Sequence, residues 1–320
     1  MKIGIIGAGH IANKMALTLS KMDKEQAYAI AARDYERARA FAQKWNMEKA
    51  YGSYEELADD PQVDLIYIAT PHALHYEQAR MCLMKKKNVL CEKTFTANAQ
   101  QAAELCQLAH ENNCYLAEAI WTRYMPFSHT IAELAHSGII GTPYMLTASL
   151  AYPIEEKERI RQPQLCGGAL FDLGVYPINF ARMVFGTDIQ RITSACIKGE
   201  TGVDLQNNIL FCYADGKMAA MQTSVRCAND RQGIISGTEG YIVVDNINNP
   251  QEAVVYDPNH SEKARCNCPQ QITGFEYQIM AAEEAISKGW TESPLMPHHE
   301  TIQIMEILDT LLKEWNITLG

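Results

Sequence analysis

Two kinds of apolar run alternate along the first 120 residues. Ile3, Ile5 and Ile6 make a short block with no helical period, bounded by Gly7 and Gly9, which is how a strand buried on both faces reads. Ile11, Met15, Leu19 and Met22 then recur at helical spacing and predict an amphipathic helix. The alternation continues with strands at 28–32, 63–70, 88–92 and 115–119 and helices at 35–45, 75–86 and 99–112. Buried strands separated by helices predict a doubly wound parallel sheet, with right-handed crossovers and ligands at the carboxyl ends of its strands.

Near Trp121 the rhythm changes. Pro126 suits the first turn of a helix whose apolar face includes Ile131, Leu134 and Ile139, with Gly138 near its end. A strand at 144–152, a charged loop at 155–164 and a helix at 170–185 ending at Gly186 follow. Strands then dominate, at 189–198, 208–213, 217–225, 233–236, 241–245 and 253–256, with Ala214-Asp215-Gly216 as a hairpin signal. Helices at 275–288 and 299–315 close the chain. The expected fold is α/β: an N-terminal doubly wound domain over 1–120, then an α+β domain over 121–320 with a large, mostly antiparallel sheet. A sheet with few helices to cover it calls for a second subunit on one face, so a homo-oligomer, a homodimer at its simplest, is expected.

Composition narrows the function classes. The 320 residues exceed what one core usually holds, and 47% hydrophobic with 21% charged residues is ordinary for a globular chain. A net charge of −10, with Lys85 to Lys87 as the longest basic run, argues against a nucleic-acid surface. There is no apolar span of membrane length, and the N-terminus enters a strand without a signal region, so a cytoplasmic location is expected. The ten cysteines are scattered, mostly in apolar runs, and Cys266 and Cys268 lack a second pair or His at ligand spacing, so no metal site is expected.

Gly7-Ala8-Gly9-His10-Ile11-Ala12 carries the first candidate chemistry, because it follows a strand, opens a helix and leads into a second strand within one βαβ unit. Gly7 allows the sharp turn, Gly9 lets backbone approach a pyrophosphate, and Ala12 packs helix on strand. The helix start at Gly9, His10 and Ile11 then offers N–H groups and a positive dipole end to an anion. Arg33, after the second strand, faces a 2′-phosphate and points to NADP, with Asp34 beside it able to serve a ribose and NAD as the alternative; the structural alternative is that Arg33 pairs with Asp34 or Glu36 at the strand end. Thr70, Pro71 and His75 end the next strand over the same crevice, where His75 is either a cofactor contact or a polar first-turn residue. Glu92 and Lys93 leave a strand at that rim, either as a solvated loop or as a pair in which Lys93 stabilises charge on a substrate oxygen and Glu92 holds cofactor or orients the lysine.

A second group lies on the helix after Gly167-Gly168. Asp172, Tyr176 and Asn179 stand at i, i+4 and i+7 on a helix otherwise rich in large apolar residues, and a polar stripe in such surroundings needs partners. Pro177 removes one helical N–H and frees the Leu173 carbonyl unless it sits in a first turn.

The first 125 residues together with Gly167 to Asn179 resemble the glucose-fructose oxidoreductase / inositol dehydrogenase (Gfo/Idh/MocA) family. Glu118-Ala119-Ile120-Trp121-Thr122-Arg123-Tyr124 with Pro126, Tyr51-Gly52-Ser53-Tyr54-Glu55-Glu56-Leu57 and Gly168-Ala169-Leu170-Phe171-Asp172-Leu173-Gly174-Val175-Tyr176 resemble its dimeric dihydrodiol dehydrogenase branch, which also oxidises D-xylose. The resemblance implies that Lys93 and Tyr176 flank the reacting carbon, that Asp172 supports the substrate or the tyrosine, and that the cofactor is NADP. Thr94 stands where the family usually has proline. The implied reaction is reversible hydride transfer to or from a secondary alcohol carbon of a sugar or dihydrodiol, Tyr176 moving the hydroxyl proton while the Lys93 cation lowers the phenol's pKa. Trp121, Arg123 and Asn179 are candidate substrate contacts, with interdomain packing the alternative for Trp121 and Arg123. The rival functions are an NAD-linked inositol or sugar dehydrogenase, a redox-assisted glycosidase, and a non-catalytic cofactor-sensing regulator, against which the presence of both Lys93 and Tyr176 argues. Loops such as 155–164 carry no readable code for the physiological substrate.

Overall fold

A computed structural model describes all 320 residues. The chain begins β1 (Lys2–Ile6), α1 (His10–Leu19), β2 (Gln26–Ala31), α2 (Tyr35–Trp45), β3 (Lys49–Tyr51), α3 (Tyr54–Asp59), β4 (Leu65–Ile68), α4 (His75–Met84), β5 (Asn88–Glu92), α5 (Ala99–Asn112) and β6 (Leu116–Ala119). The six strands pair in parallel in the order β3-β2-β1-β4-β5-β6. The order reverses at β1, so the connections leaving β1 and β4 run to opposite sides of the sheet and leave a crevice above the carboxyl ends of these paired strands. Ile3, Ile5, Ile6, Leu65, Ile66, Tyr67 and Ile68 are fully buried, as strands covered on both faces require.

The next stretch holds α6 (Pro126–His136), β7 (Pro143–Ala151), α7 (Glu158–Arg161), a π-helical turn at Leu170–Gly174, and α8 (Val175–Phe185). β8 (Ile189–Lys198), β9 (Asp204–Tyr213), β10 (Met218–Ser224), β11 (Gly233–Gly237), β12 (Gly240–Val244), β13 (Glu252–Tyr256) and β14 (Glu262–Asn267) join β7 in an eight-stranded sheet ordered β14-β13-β12-β11-β7-β10-β9-β8. Only β7 and β10 pair in parallel. Leu146, Ala148, Leu150, Ala219 and Met221 are buried on the face that α8 packs against. On the opposite face Met145 and Met218 are register partners, 52% and 41% exposed, so the sheet has one open side.

Two helices, α9 (Glu276–Ser287) and α10 (His298–Glu314), end the chain. The compact units are Met1–Tyr124 with Gln271–Glu306, and Met125–Gln270 with Ile307–Gly320. A single cut at 120 therefore misplaces Gln271–Glu306, which the sequence reading assigns to the second domain. The physical reason is pairing across long separations: Thr18 Oγ1 bonds Thr273 Oγ1 at 2.6 Å, the Leu116 N–H donates to the Thr291 carbonyl at 2.9 Å, and Arg123 Nη2 donates to Glu300 Oε2 at 2.6 Å.

Several boundaries also differ from the apolar pattern. Helix α1 stops at Leu19, leaving Met22 in the following turn, and α6 stops at His136, leaving Ile139 beyond a turn through Gly138 at φ +87°. The predicted loop at 155–164 contains α7 and a 3-10 turn at Pro163–Leu165. Strand β3 and helix α3 are unforeseen, although Ser53 caps α3 by accepting from the Glu56 N–H at 3.2 Å. No helix is long and apolar enough to cross a membrane.

The buried Arg123–Glu300 pair generates a stability prediction. Removing one partner of a buried ion pair leaves an uncompensated charge and costs about 3 kcal/mol or more, whereas replacing both by apolar groups is far milder. Glu300→Met should lower the urea midpoint strongly and Arg123→Met/Glu300→Met should recover most of it; equal midpoints for wild type and Glu300→Met would remove the pair from the stabilising contacts.

Candidate active site

The first unit presents the glycine turn as a shaped anion cradle. Gly7 has φ +95°, and a Cβ there would lie 2.9 Å from the Ala69 carbonyl oxygen and 3.0 Å from Thr70 Cγ2, so no other residue fits between the ends of β1 and β4. At Gly9 the opposite holds: a Cβ would meet nothing within 4 Å. Gly9 is the N-cap of α1 and supplies no side-chain cap, so the first-turn N–H groups, including those of His10 and Ile11, have no capping side chain. This cradle fits a diphosphate.

Arg33 is exposed just past the end of β2. Asp34 does not stand free beside it, because its Oδ1 caps α2, accepting from the Glu36 N–H at 3.0 Å and the Arg37 N–H at 3.4 Å. Arg37, absent from the sequence reading, donates from Nη2 to the Ala8 carbonyl at 3.0 Å and so reaches the glycine turn from the start of α2. Burial raises the Tyr54 phenol's pKa against the opposing pull of the Arg33 and Arg37 charges. The signal available in the sequence was the spacing Arg33-x-x-x-Arg37 across a capped helix start.

Thr70 lies against Gly7, and its Oγ1 bonds Gln78 Oε1 at 2.6 Å. Pro71 leads into the short 3-10 turn before α4. His75 is fully buried: Nε2 contacts the Thr70 carbonyl and Nδ1 the Thr94 carbonyl, each at 2.9 Å. The ring thus lies between the loop after β4 and the loop after β5. Burial pushes its pKa below the usual imidazole range despite the two carbonyls.

Glu92 ends β5 in a buried position, where the Tyr67 hydroxyl donates to its Oε1. Burial lifts its carboxyl to about 7, against Tyr67, Lys93 and Lys14. Lys93 follows at intermediate exposure, and the Lys93–Thr94 peptide is cis. Trp121 is 5% exposed, packed against Phe275 with ring centroids 4.8 Å apart and the planes tilted by 45°, and Lys14 Nζ lies 4.2 Å from each ring. Arg123 is occupied by Glu300 in a buried pair. The structure thus gives Trp121 and Arg123 packing partners within the first unit.

In the second unit, the helix bearing the polar stripe opens with a π turn in which the Val175 N–H reaches back to the Leu170 carbonyl. Pro177 is the third residue of α8, directly after that turn, in a helix already under way from Leu170. Both carboxylate oxygens of Asp172 are gripped by Arg159, at 2.5 and 3.2 Å, so the charged loop supplies a residue that sequence reasoning missed. Tyr176 is 8% exposed. Asn179 is 1% exposed and donates from Nδ2 to the Val175 carbonyl at 2.8 Å.

Residues 1–119 match the family described as an oxidoreductase family with an NAD-binding Rossmann fold, and residues 128–243 match the GFO/IDH/MocA C-terminal domain. The chain belongs to the GFO/IDH/MocA family. It is an NAD(P)-dependent dehydrogenase or reductase by that membership. Relatives named trans-1,2-dihydrobenzene-1,2-diol dehydrogenase are 34% identical in Xenopus tropicalis, over 99% of this chain and 98% of theirs, and 32% identical in Homo sapiens over the same shares. Among solved structures, a 3-ketoreductase from Actinomadura kijaniata in complex with NADP and TDP-benzene superposes with a TM-score of 0.88 at 25% identity, covering 97% of this chain and 96% of that one. A levoglucosan dehydrogenase in complex with NADH and levoglucosan superposes at 0.87 with 18% identity, over 99% and 97% of the two chains, a likeness of fold.

In this GFO/IDH/MocA chain a second carboxyl is buried near Lys93. Glu118, one residue before the end of β6, is buried, its Oε2 has no hydrogen-bond partner, and burial lifts its pKa from the usual 4.5 to about 7, against Thr301 and Arg123. Between pH 4.5 and 7 the unfolded chain releases this proton while the folded chain keeps it, so the group's contribution to stability falls as pH rises through that window. Glu118→Gln stays neutral throughout. Its stability relative to wild type should therefore be higher at pH 8 than at pH 5, by up to about 3 kcal/mol. Chemical denaturation at the two pH values checks this, and a difference that does not change with pH would contradict it.

Proposed function

We propose that this chain is an NADP-dependent oxidoreductase moving hydride between the cofactor and a secondary alcohol or carbonyl of a sugar or trans-dihydrodiol type substrate. The observation that carries the reading is the bare start of α1 above Gly9, with Arg33 and Arg37 at its flank. The turn from Gly7 through Gly9, His10 and Ile11 holds the diphosphate with backbone N–H groups, and Arg33 with Arg37 takes the 2′-phosphate. Thr70, Pro71, Glu92 and Lys93 hold the nicotinamide end. The bound cofactor supplies the hydride chemistry.

Tyr176 takes the hydroxyl proton during oxidation and returns one to the carbonyl oxygen during reduction. The Lys93 ammonium stabilises negative charge on that oxygen and favours the phenolate of Tyr176. Asp172, fixed by Arg159, supports Tyr176. The relatives' name supports a diol or sugar substrate for this machinery, and a panel of aldoses, ketoses and diketones with NADPH, read at the nicotinamide absorbance, identifies it. The second reading, an NAD-linked sugar dehydrogenase, would use Asp34 Oδ2, since Oδ1 caps α2.

The open side of the eight-stranded sheet suits a second copy of this chain. Met145, Met218 and Ile197 are exposed on it, and burying that patch in a homodimer removes apolar area from water. A cytoplasmic location completes the reading.

Three measurements test it. Tyr176→Phe should lose turnover by about 100-fold or more while binding NADPH normally, and full activity would remove Tyr176 from the chemistry. Arg33→Ala and Arg37→Ala should each weaken NADPH binding by roughly 10- to 100-fold and leave NADH binding nearly unchanged; equal losses for both cofactors would favour the NAD reading. Sedimentation should show a dimer at micromolar concentration that Met218→Asp dissociates, against a wild type that sediments only as monomer.

A further inference from the structure

A buried carboxylate outside the stripe governs how the Tyr176 helix begins. Helix α8 and the π turn before it have no side-chain cap of their own. Asp204, at the start of β9 and 1% exposed, fills that place from a distance: its Oδ2 accepts from the Leu170 N–H at 2.8 Å and from Asn207 Nδ2 at 2.7 Å. Asn207 Oδ1 in turn accepts from Thr223 Oγ1 of β10 at 2.8 Å, so three buried polar side chains on two neighbouring strands form one chain ending at the helix. The other carboxylate oxygen, Oδ1, stands 2.3 Å from where a Cβ would lie on Gly168, whose φ is +110°. The turn that launches the helix is therefore moulded around Asp204.

We infer that Asp204 is a positioning residue, which by pinning the Leu170 amide sets the pose of Asp172 and Tyr176 two and six residues further on. The inference rests on the reading of Tyr176 as the proton-handling group. A helix start held by one strong acceptor cannot slide or fray without leaving a buried N–H unpaired. The π turn makes that restraint consequential, since an i to i+5 turn has an alternative in the ordinary i to i+4 register. A shift of about 1 Å at Tyr176 would be enough to slow the reaction by roughly 100-fold. Oδ2 alone makes both side-chain bonds, so the amide oxygen of an asparagine can reproduce them, while alanine reproduces neither.

The test uses the full chain and two readouts. Amide hydrogen exchange, without substrate, should quicken by roughly tenfold or more across residues 170–176 in Asp204→Ala and stay near wild type in Asp204→Asn. With NADPH and the carbonyl compound reduced fastest in the substrate panel, kcat should fall roughly 10- to 100-fold in Asp204→Ala with unchanged NADPH affinity, and recover to within about threefold in Asp204→Asn. Where alanine prevents folding, Thr223→Val removes the outer link and should give the same pattern at smaller amplitude. Wild-type exchange and kcat in folded Asp204→Ala or Thr223→Val, or equal loss in Asp204→Asn and Asp204→Ala, would overturn the inference. Tyr176→Phe is measured alongside. Full activity there defeats the assignment of Tyr176, while the exchange result still decides whether Asp204 pins the helix.

Discussion

The first unit depends on how closely two strand ends approach each other. Gly7 sits so near Ala69 and Thr70 that a methyl group would collide with backbone, and that proximity turns the chain sharply into α1. Because Gly9 supplies no cap, no side chain accepts from the first-turn N–H groups of the helix, and a Cβ at Gly9 would meet nothing within 4 Å. A surface helix would normally satisfy those groups with Ser, Thr or Asp. Their absence is costly for the bare chain and favourable once an anion is bound, which ties the local geometry to cofactor chemistry.

Buried polar groups then fix what surrounds the turn. His75 bridges two loop carbonyls, Tyr67 holds Glu92, and Arg123 holds Glu300, so the strand ends that carry Glu92 and Lys93 are braced from several directions. The second unit uses the same device on the Tyr176 helix, with Arg159 on Asp172 and Asp204 on the Leu170 amide. Desolvated acceptors of this kind tolerate little displacement, because each lost bond leaves a group that water cannot reach.

Local sequence made much of the fold legible. The bounds of Tyr35–Trp45, Asn88–Glu92, Ala99–Asn112 and Ile189–Lys198 are those the periodicity predicts, because each is long or strongly patterned and flanked by caps or turns. Short or polar elements escaped: Lys49–Tyr51 is three residues, and Glu262–Asn267 is an edge strand with charges where alternation would show. The return of Gln271–Glu306 to the first unit depends on contacts such as Thr18 with Thr273, which no local window contains. The same reason explains the site. Gly7, Gly9 and Arg33 announce themselves by position after a strand, whereas Arg37, Arg159 and Asp204 act on residues distant in sequence or through a turn whose form the pattern does not encode. Nor does a sequence show that the His75 ring lies between two loop carbonyls or that Asn179 bonds the Val175 carbonyl.

We propose that the amine of Lys93 and the phenol of Tyr176 serve one chemical step. A double-mutant cycle on kcat, using Lys93→Met, Tyr176→Phe and the pair together, measures this directly. Groups acting as a unit predict a double variant no slower than the slower single one. Losses that multiply would show two independent contributions and contradict the shared step.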